Sequence, residues 1–321
     1  MAQMAGLSVA SVSRVLNRHD NVHPNTRERV LAAMQSLGYV PNAAARSLST
    51  ARSHAIGVVL PDLHGEYFSE IVRGMDKAAS EHGYMLLLSN MHADHQLAGQ
   101  AMGAMLGRVD GMVVMAPQLS ASDLENLLPR SIPAVLVNSP AERGFSAIKV
   151  DNRAGIRLMV RHLLDNGRHR IVHLSGPADN IDGAERRDAF TEAMTDFAPD
   201  LPIHVVEGDF AEASGGALVA RLLADKTEFD AIVAANDMMA MGVLMALREA
   251  GIGVPDRVAV AGYDDIPLAR YLGLSSVRCD MVGIGALAIE RLLEQINESR
   301  QEPIIEQIAP ELVLRQTTRT S

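Results

Sequence analysis

Ala5-Gly-Leu-Ser-Val-Ala-Ser-Val-Ser-Arg-Val-Leu-Asn17, almost at the head of a 321-residue chain, reads as a tight turn followed by a short helix. Gly6 stands where the turn needs a residue tolerant of positive φ, and Ser8 is a ready N-cap. From Val9 the helix has two faces. Val12, Val15 and Leu16 fall at helical spacing and pack inward, whereas Ala10, Ser13, Arg14 and Asn17 fall on the other side. That second face is small, hydroxyl-bearing and cationic, which suits close approach to base edges and phosphates. Taken alone, the stretch is equally open to a plainer reading, an amphipathic helix at a domain edge.

Charge separates the two. The chain carries a formal charge of −10, which argues against nucleic acid until it is divided. Residues 1–53 hold six arginines against Asp20 and Glu28, a charge of +4, which leaves −14 on the remainder. A polyanion partner is therefore expected at the N-terminus only. With no tryptophan, few aromatics and 17 methionines, the core must be largely aliphatic and methionine. The single cysteine, Cys279, excludes an internal disulfide framework. No signal peptide opens the chain and no run of about 18 apolar residues crosses a bilayer, so a cytoplasmic protein is expected.

After the opening helix, a second one is expected over about 24–37, with Pro24 in its first turn and Gly38 as its stop. Val30, Met34 and Leu37 supply its buried stripe, and Arg27 and Arg29 project toward solvent or phosphate. His23 stands where a small oxygen-bearing cap is usual. Pro41-Asn-Ala-Ala-Ala-Arg-Ser-Leu48 has helix-forming composition but only about two turns, too few to be stable alone. It is either a frayed connector or a hinge helix that folds only against DNA, driving Leu48 into the minor groove.

From Ala55 short apolar strands alternate with helices, the pattern of a parallel α/β sheet. Strands are expected at 56–60, 84–88, 111–115, 134–137, 171–174, 204–206, 231–234 and 258–261. Helices over 67–82, 151–166 and 237–250 end at Gly83, Gly167 and Gly251. The rhythm runs twice, about 55–150 and 151–279. A last helix, 282–297, and a strand pair near 304–314 tie the lobes together.

Met1 to Asn17, Thr26 to Met34, Leu37 to Leu48, Asn236-Asp-Met-Met-Ala and Gly262-Tyr-Asp-Asp265 together resemble the lactose/galactose-repressor (LacI/GalR) family along essentially the whole chain. The resemblance implies a small all-α helix-turn-helix module followed by an α/β two-lobed periplasmic-binding-protein-like domain with parallel sheets. The implied boundaries are 1–40 for the reading module, 41–54 for hinge helix and linker, and 55–321 for the effector and dimerisation domain. Within the last, the first lobe takes about 55–150 plus 281–300, and the second 151–279 plus 303–318. The family's first helix normally starts earlier than Met1, so the expectation is a start further upstream, and weaker operator binding if the short form is genuine.

The resemblance further implies a homodimeric repressor of a pseudo-palindromic DNA operator, controlled by a small effector, without cofactor or metal. It puts Val9, Ala10 and Arg14 on base edges, and Ser8, Ser11, Ser13 and Asn17 nearer phosphates. Leu48 resembles the minor-groove leucine, with Asn42, Ala45 and Arg46 lining the groove. A tetramerising leucine repeat is not evident after Arg315, so a dimer is the expected limit. Whether effector releases or promotes DNA binding stays open, because both kinds occur in the family.

Ligands of open parallel sheets bind beyond the carboxyl ends of strands, and polar residues collect there in this sequence. By position Asp62, Tyr67, Phe68, Asn180, Asp182, Arg186, Phe210, Asn236 and Asp264 resemble effector contacts. Asp237 is either a helix cap or a pocket residue, and Asp265 reads as structural. Carboxylates and amides suit hydroxyls, Arg186 can grip two acceptors, and an aromatic can stack on a sugar's C–H face. A sugar or sugar derivative therefore fits best, and a nucleobase less well.

Two other classes were weighed. A sugar-processing enzyme would need a catalytic motif, and no nucleophile elbow, P-loop or dinucleotide fingerprint occurs. His92-Ala-Asp-His95 pairs two histidines without a recognisable third ligand, so a solvated loop is the better reading. A solute-binding protein of transport shares the body fold but does not account for the basic N-terminal module or the missing export signal.

Overall fold

The protein is described here by a computed structural model covering residues 1–16, 22–39, 52–62, 65–92, 94–140, 144–297 and 302–319. The head comprises α1 (Ala2–Ala5), α2 (Val9–Leu16) and α3 (Pro24–Ser36). Gly6 is left-handed at φ 60°, making the turn the sequence predicts. Ser8 Oγ accepts from the Ser11 amide at 3.1 Å, capping α2. Val12, Val15, Val30, Ala33 and Ala5 form the small core. Two expectations need correction. Leu37 is exposed rather than buried, because α3 stops at Ser36 and Leu37 turns off the stripe as its C-cap. Arg29 is exposed as expected but is not free: its guanidinium donates to the Ala5 and Gly6 carbonyls at 2.6 and 3.1 Å, satisfying the end of α1. The unorthodox cap does its work, since His23 Nδ1 accepts from the Asn25 amide at 3.3 Å.

The body opens with β1 (Ala55–Leu60), α4 (Glu66–Glu81), β2 (Met85–Asn90), α5 (His95–Met105), β3 (Gly111–Val114), α6 (Ala121–Leu127), β4 (Ala134–Val137) and β5 (Ser146–Val150). Its second lobe comprises α7 (Asn152–Asp165), β6 (Ile171–Ser175), α8 (Ile181–Phe197), β7 (His204–Glu207), α9 (Glu212–Ala224), β8 (Ala231–Ala234), α10 (Asp237–Glu249), β9 (Ala259–Asp264), α11 (Pro267–Tyr271) and β10 (Ser275–Arg278). The chain then runs through α12 (Met281–Asn297), β11 (Ile305–Ile308) and β12 (Glu311–Val313). The sheets have orders β2-β1-β3-β4-β5-β11 and β7-β6-β8-β9-β10-β12, all parallel except β12 against β10. Strand β11 lies beside β5 in the first sheet, although 303–318 reads from sequence as second lobe. The ladder explains it: the Ala147 amide donates to Ile304 and the Asp151 amide to Ile308. The chain therefore passes between lobes after β5, after β10 and between β11 and β12.

Strands β5 and β10 are absent from the sequence reading. Ser275-Ser-Val-Arg278 carries no apolar alternation, yet both serines are fully buried. Their hydroxyls are paid in full: Ser275 Oγ meets Thr318 Oγ1 at 2.7 Å and Ser276 Oγ donates to Asp237 at 2.6 Å. The cores are aliphatic and methionine, with Met75, Met102, Met112, Met159 and Met239 fully buried. At the head of the body, Asp110 accepts from Ser53 and His54 amides and from Ser53 Oγ at 2.7–2.9 Å, fixing the chain where it enters β1.

Close helix crossings rely on glycine. Gly74 of α4 abuts the Val282 carbonyl of α12, and Gly285 abuts Ile71; Gly215 of α9 abuts Met239 of α10, and Gly242 abuts Glu212. Neighbouring glycines in α9 make a test. Gly215→Ala places a methyl against the Met239 carbonyl and should destabilise by about 1–3 kcal/mol. Gly216→Ala meets nothing within 4 Å and should be neutral or stabilise by up to about 1 kcal/mol. Urea denaturation of the two variants checks this, and equal effects would remove the crossing as the reason for Gly215.

Candidate functional site

The carboxyl ends of both sheets face a cavity of about 400 Å³ between the lobes, within the ordinary range for small-molecule sites. Asp62 follows β1, Met115 and Pro117 follow β3, and Asn138 follows β4. From the other lobe come Asn180 after β6, Asp209 and Phe210 after β7, Asn236 after β8 and Asp264 at the end of β9. Two backbone amides of the second lobe reach across: Leu268 donates to Glu66 Oε2 at 3.0 Å, and Ile181 to the Pro117 carbonyl at 3.0 Å.

Arg186, on α8, is the hub of the wall and is almost wholly buried. Its Nε donates to Asn152 Oδ1 at 2.8 Å and its Nη1 to the Ala235 carbonyl at 2.6 Å. The guanidinium lies over the Tyr263 ring, 3.8 Å from the centroid, with Asp264 Oδ1 at 3.6 Å. Burial is the largest influence and opposes this charge, but Asp264, Tyr263 and Asp182 together outweigh it and hold the guanidinium above its ordinary value. For Asp264 the balance goes the other way: burial pushes its carboxyl up to about 7, against the pull of Arg186. Asn152 completes the frame by donating to Asp182 and Glu185, each at 2.8 Å.

Several lining residues also hold the backbone. Asn180 Oδ1 caps α8 through the Asp182 and Gly183 amides. Asn236 caps α10 through Met239, and its Nδ2 donates to the Phe210 carbonyl at 2.9 Å. Tyr67 and Phe68 meet edge to face at 5.3 Å, and Asn138 Nδ2 donates to the Tyr67 hydroxyl. Burial first, then Asp182 and Asp264, raises the Tyr67 phenol well above its ordinary range. Three of the lining residues, Asn138, Phe210 and Asp264, adopt positive φ of 43°, 66° and 102°. Strain of this kind is sustained only where the surroundings fix it.

In the head, α2 presents Val9, Ala10, Ser13 and Arg14 outward, while Ser11 is half-buried with its hydroxyl on Ser8 at 2.9 Å. Val9 is 76% exposed although apolar.

The first 42 residues match the family model "Bacterial regulatory proteins, lacI family", and residues 160–318 match "Periplasmic binding protein-like domain". Catabolite control protein A of Priestia megaterium is 31% identical, over 99% of this chain and 98% of its own. A lac repressor dimer bound to operator and the anti-inducer ONPF superposes with a TM-score of 0.89 at 28% identity, covering 99% of this chain and 98% of that one. A complex of the transcriptional regulator CelR with cellobiose gives 0.74 at 30%, covering 98% of both chains.

The chain belongs to the lacI family of bacterial regulatory proteins. It is accordingly a DNA-binding transcriptional repressor and not an enzyme. No helix among the described residues is long and apolar enough to cross a membrane, and no group of three metal-ligating side chains occurs among them.

All nine residues placed at the effector site by sequence line the one cavity: Asp62, Tyr67, Phe68, Asn180, Asp182, Arg186, Phe210, Asn236 and Asp264. Of the eleven placed on DNA, six lie in the described head, and Asn17, Asn42, Ala45, Arg46 and Leu48 lie outside the described residues. Asp237 stays out of the lining; it is buried, and its carboxylate accepts from the Ile266 amide and Ser276 Oγ. Asp265 pairs with Arg278 and Arg315 and is structural. Asn138 and Asn152 are absent from the sequence reading. Asn138 immediately follows a strand and was open to the same positional argument; Asn152 has no such signal.

Because Asp264 titrates higher in the folded protein than in the unfolded chain, where it is near 3.9, it takes stability away as pH rises from about 4 to about 7. Arg186→Met leaves that carboxylate buried without its cation. The loss should be about 3–5 kcal/mol at pH 8 and clearly smaller at pH 5, where Asp264 is protonated. Urea melts at the two pH values decide it, and a loss independent of pH would rule out the Asp264 charge as its source.

Proposed function

We propose that this repressor binds a pseudo-palindromic operator as a homodimer in the cytoplasm, under the control of a sugar or sugar derivative held in the inter-lobe cavity. The observation that carries the effector reading is the convergence of amide, carboxylate, guanidinium and aromatic groups from both lobes on one enclosed space. Hydroxyls find both donors and acceptors there, and Phe68 and Phe210 offer faces for C–H surfaces. The lac repressor and CelR complexes, with ONPF and with cellobiose, are consistent with that chemistry.

Lobe closure over the effector would turn one lobe against the other about the three crossings and rearrange residues 41–54. The effector acts only by its differential affinity for the two arrangements. Exposed Met85 and Leu88 on the edge strand β2, with Met245 and Tyr271, offer apolar surface for the second copy. In the head, Val9, Ala10 and Arg14 read base edges, and Ser8, Ser11 and Ser13 lie nearer phosphates.

Arg14→Ala should weaken operator binding about tenfold or more while changing binding to unrelated DNA far less; gel-shift titrations on both duplexes measure the difference. A hydroxyl donated to Asp264 favours its ionised form, so effector affinity should rise between pH 6 and 8 and binding should release a proton. Titration calorimetry in buffers of different ionisation enthalpy reads that proton. A flat profile removes Asp264 from the contact.

A further inference from the structure

Resting on the reading just given, the geometry points to an effector without negative charge, an uncharged or amine-bearing polyol, and to rejection of sugar phosphates and sugar acids. The observation is an imbalance of hydrogen-bonding capacity. Among its described residues the lining holds carboxylates from Asp62, Glu66, Asp182, Asp209, Glu212 and Asp264 against a single guanidinium. Two nitrogens of that guanidinium are engaged, Nε on Asn152 and Nη1 on the Ala235 carbonyl, and its charge already faces Asp264 at 3.6 Å. The amide donors of Asn138 and Asn236 are likewise engaged, on Tyr67 and on the Phe210 carbonyl.

Donors persist on Asn180, Tyr67 and Arg186, but acceptors and negative charge are in surplus. Asn138 Oδ1 and Asp264 Oδ1 are buried in the wall and receive no hydrogen bond. At 3.6 Å from Arg186, Asp264 Oδ1 is too distant for one. Buried acceptors without donors are costly, and a ligand rich in O–H or N–H groups relieves them. A phosphate or carboxylate brings further acceptors and a charge of the same sign as most of the wall, and the repulsion is least screened at its buried member, Asp264. Arg186 supplies one positive charge, which Asp264 already faces at 3.6 Å, against the other five carboxylates of the lining.

The test uses the full chain and matched ligand sets: neutral pentoses, hexoses and disaccharides, the corresponding amino sugars, their phosphates, their uronic and aldonic acids, and nucleosides as the uncharged comparison. Thermal shift finds binders and calorimetry ranks them. Neutral or amine-bearing members should bind about tenfold or more tighter than their phosphate or acid counterparts. Asp209→Asn, which retains the acceptor used by the Ala211 amide at 2.9 Å, should narrow that gap. An anionic member binding as tightly as its neutral parent overturns the charge inference and leaves the sugar reading standing. An uncharged or cationic non-carbohydrate, such as a nucleoside, as the sole binder overturns the sugar reading instead. Absence of binding in every class overturns both, and an unchanged gap in Asp209→Asn counts against the carboxylate surplus as the source of selectivity.

Discussion

One buried guanidinium ties together the parts of the second lobe that face the cleft. Arg186 links α8 to the start of α7 through Asn152, to the end of β8 through the Ala235 carbonyl, and to the end of β9 through Asp264 and Tyr263. A lone buried cation of this kind is costly, and it persists because each of its neighbours is held in turn. Asn152 is locked by Asp182 and Glu185. Asp264 sits at φ 102°, at the end of a strand whose next residue, Asp265, is clamped by Arg278 and Arg315. The lining is thus preorganised in part by groups that do not line the cavity, Asn152, Glu185, Arg278 and Arg315.

Much of this arrangement is legible in the sequence, for definite reasons. Strand ends are marked by abrupt changes from apolar runs to polar residues, and parallel topology sends those ends to one side, so nine lining residues follow from position and resemblance. The illegible parts are those where pairing replaces hydrophobicity. Strand β10 is built on serines whose hydroxyls are satisfied by threonine and aspartate distant in sequence. The place of β11 depends on a register with β5 that no local pattern encodes. Arg29 reads as facing solvent or phosphate because its partners, two carbonyls at the end of α1, are invisible until the head is folded. Leu37 fits the apolar period but falls one residue beyond the helix.

The two lobes solve the same packing problem alike. Each draws helices close by removing side chains at the crossing, Gly74 and Gly285 from the two helices of one pair and Gly215 and Gly242 from those of the other. Close crossings leave little freedom for helices to slide within a lobe. Relative motion is accordingly concentrated in the short crossings and in the few contacts across the cleft, such as Glu66 to Leu268 and Pro117 to Ile181.

Strand β1 gives that division a geometric sense. Asp110 pins its first end, where the chain arrives from the head, and Asp62 lies just beyond its last, at the cavity. Six fully buried residues, about 20 Å of extended chain, separate the two. Hydrogen-bonded on both sides to β2 and β3, this segment is a stiff rod that neither stretches nor compresses. Under the proposed effector control, a ligand at the cavity would act on the head by tilting the whole lobe, and with it the direction in which the rod's far end points, rather than by tugging along the chain.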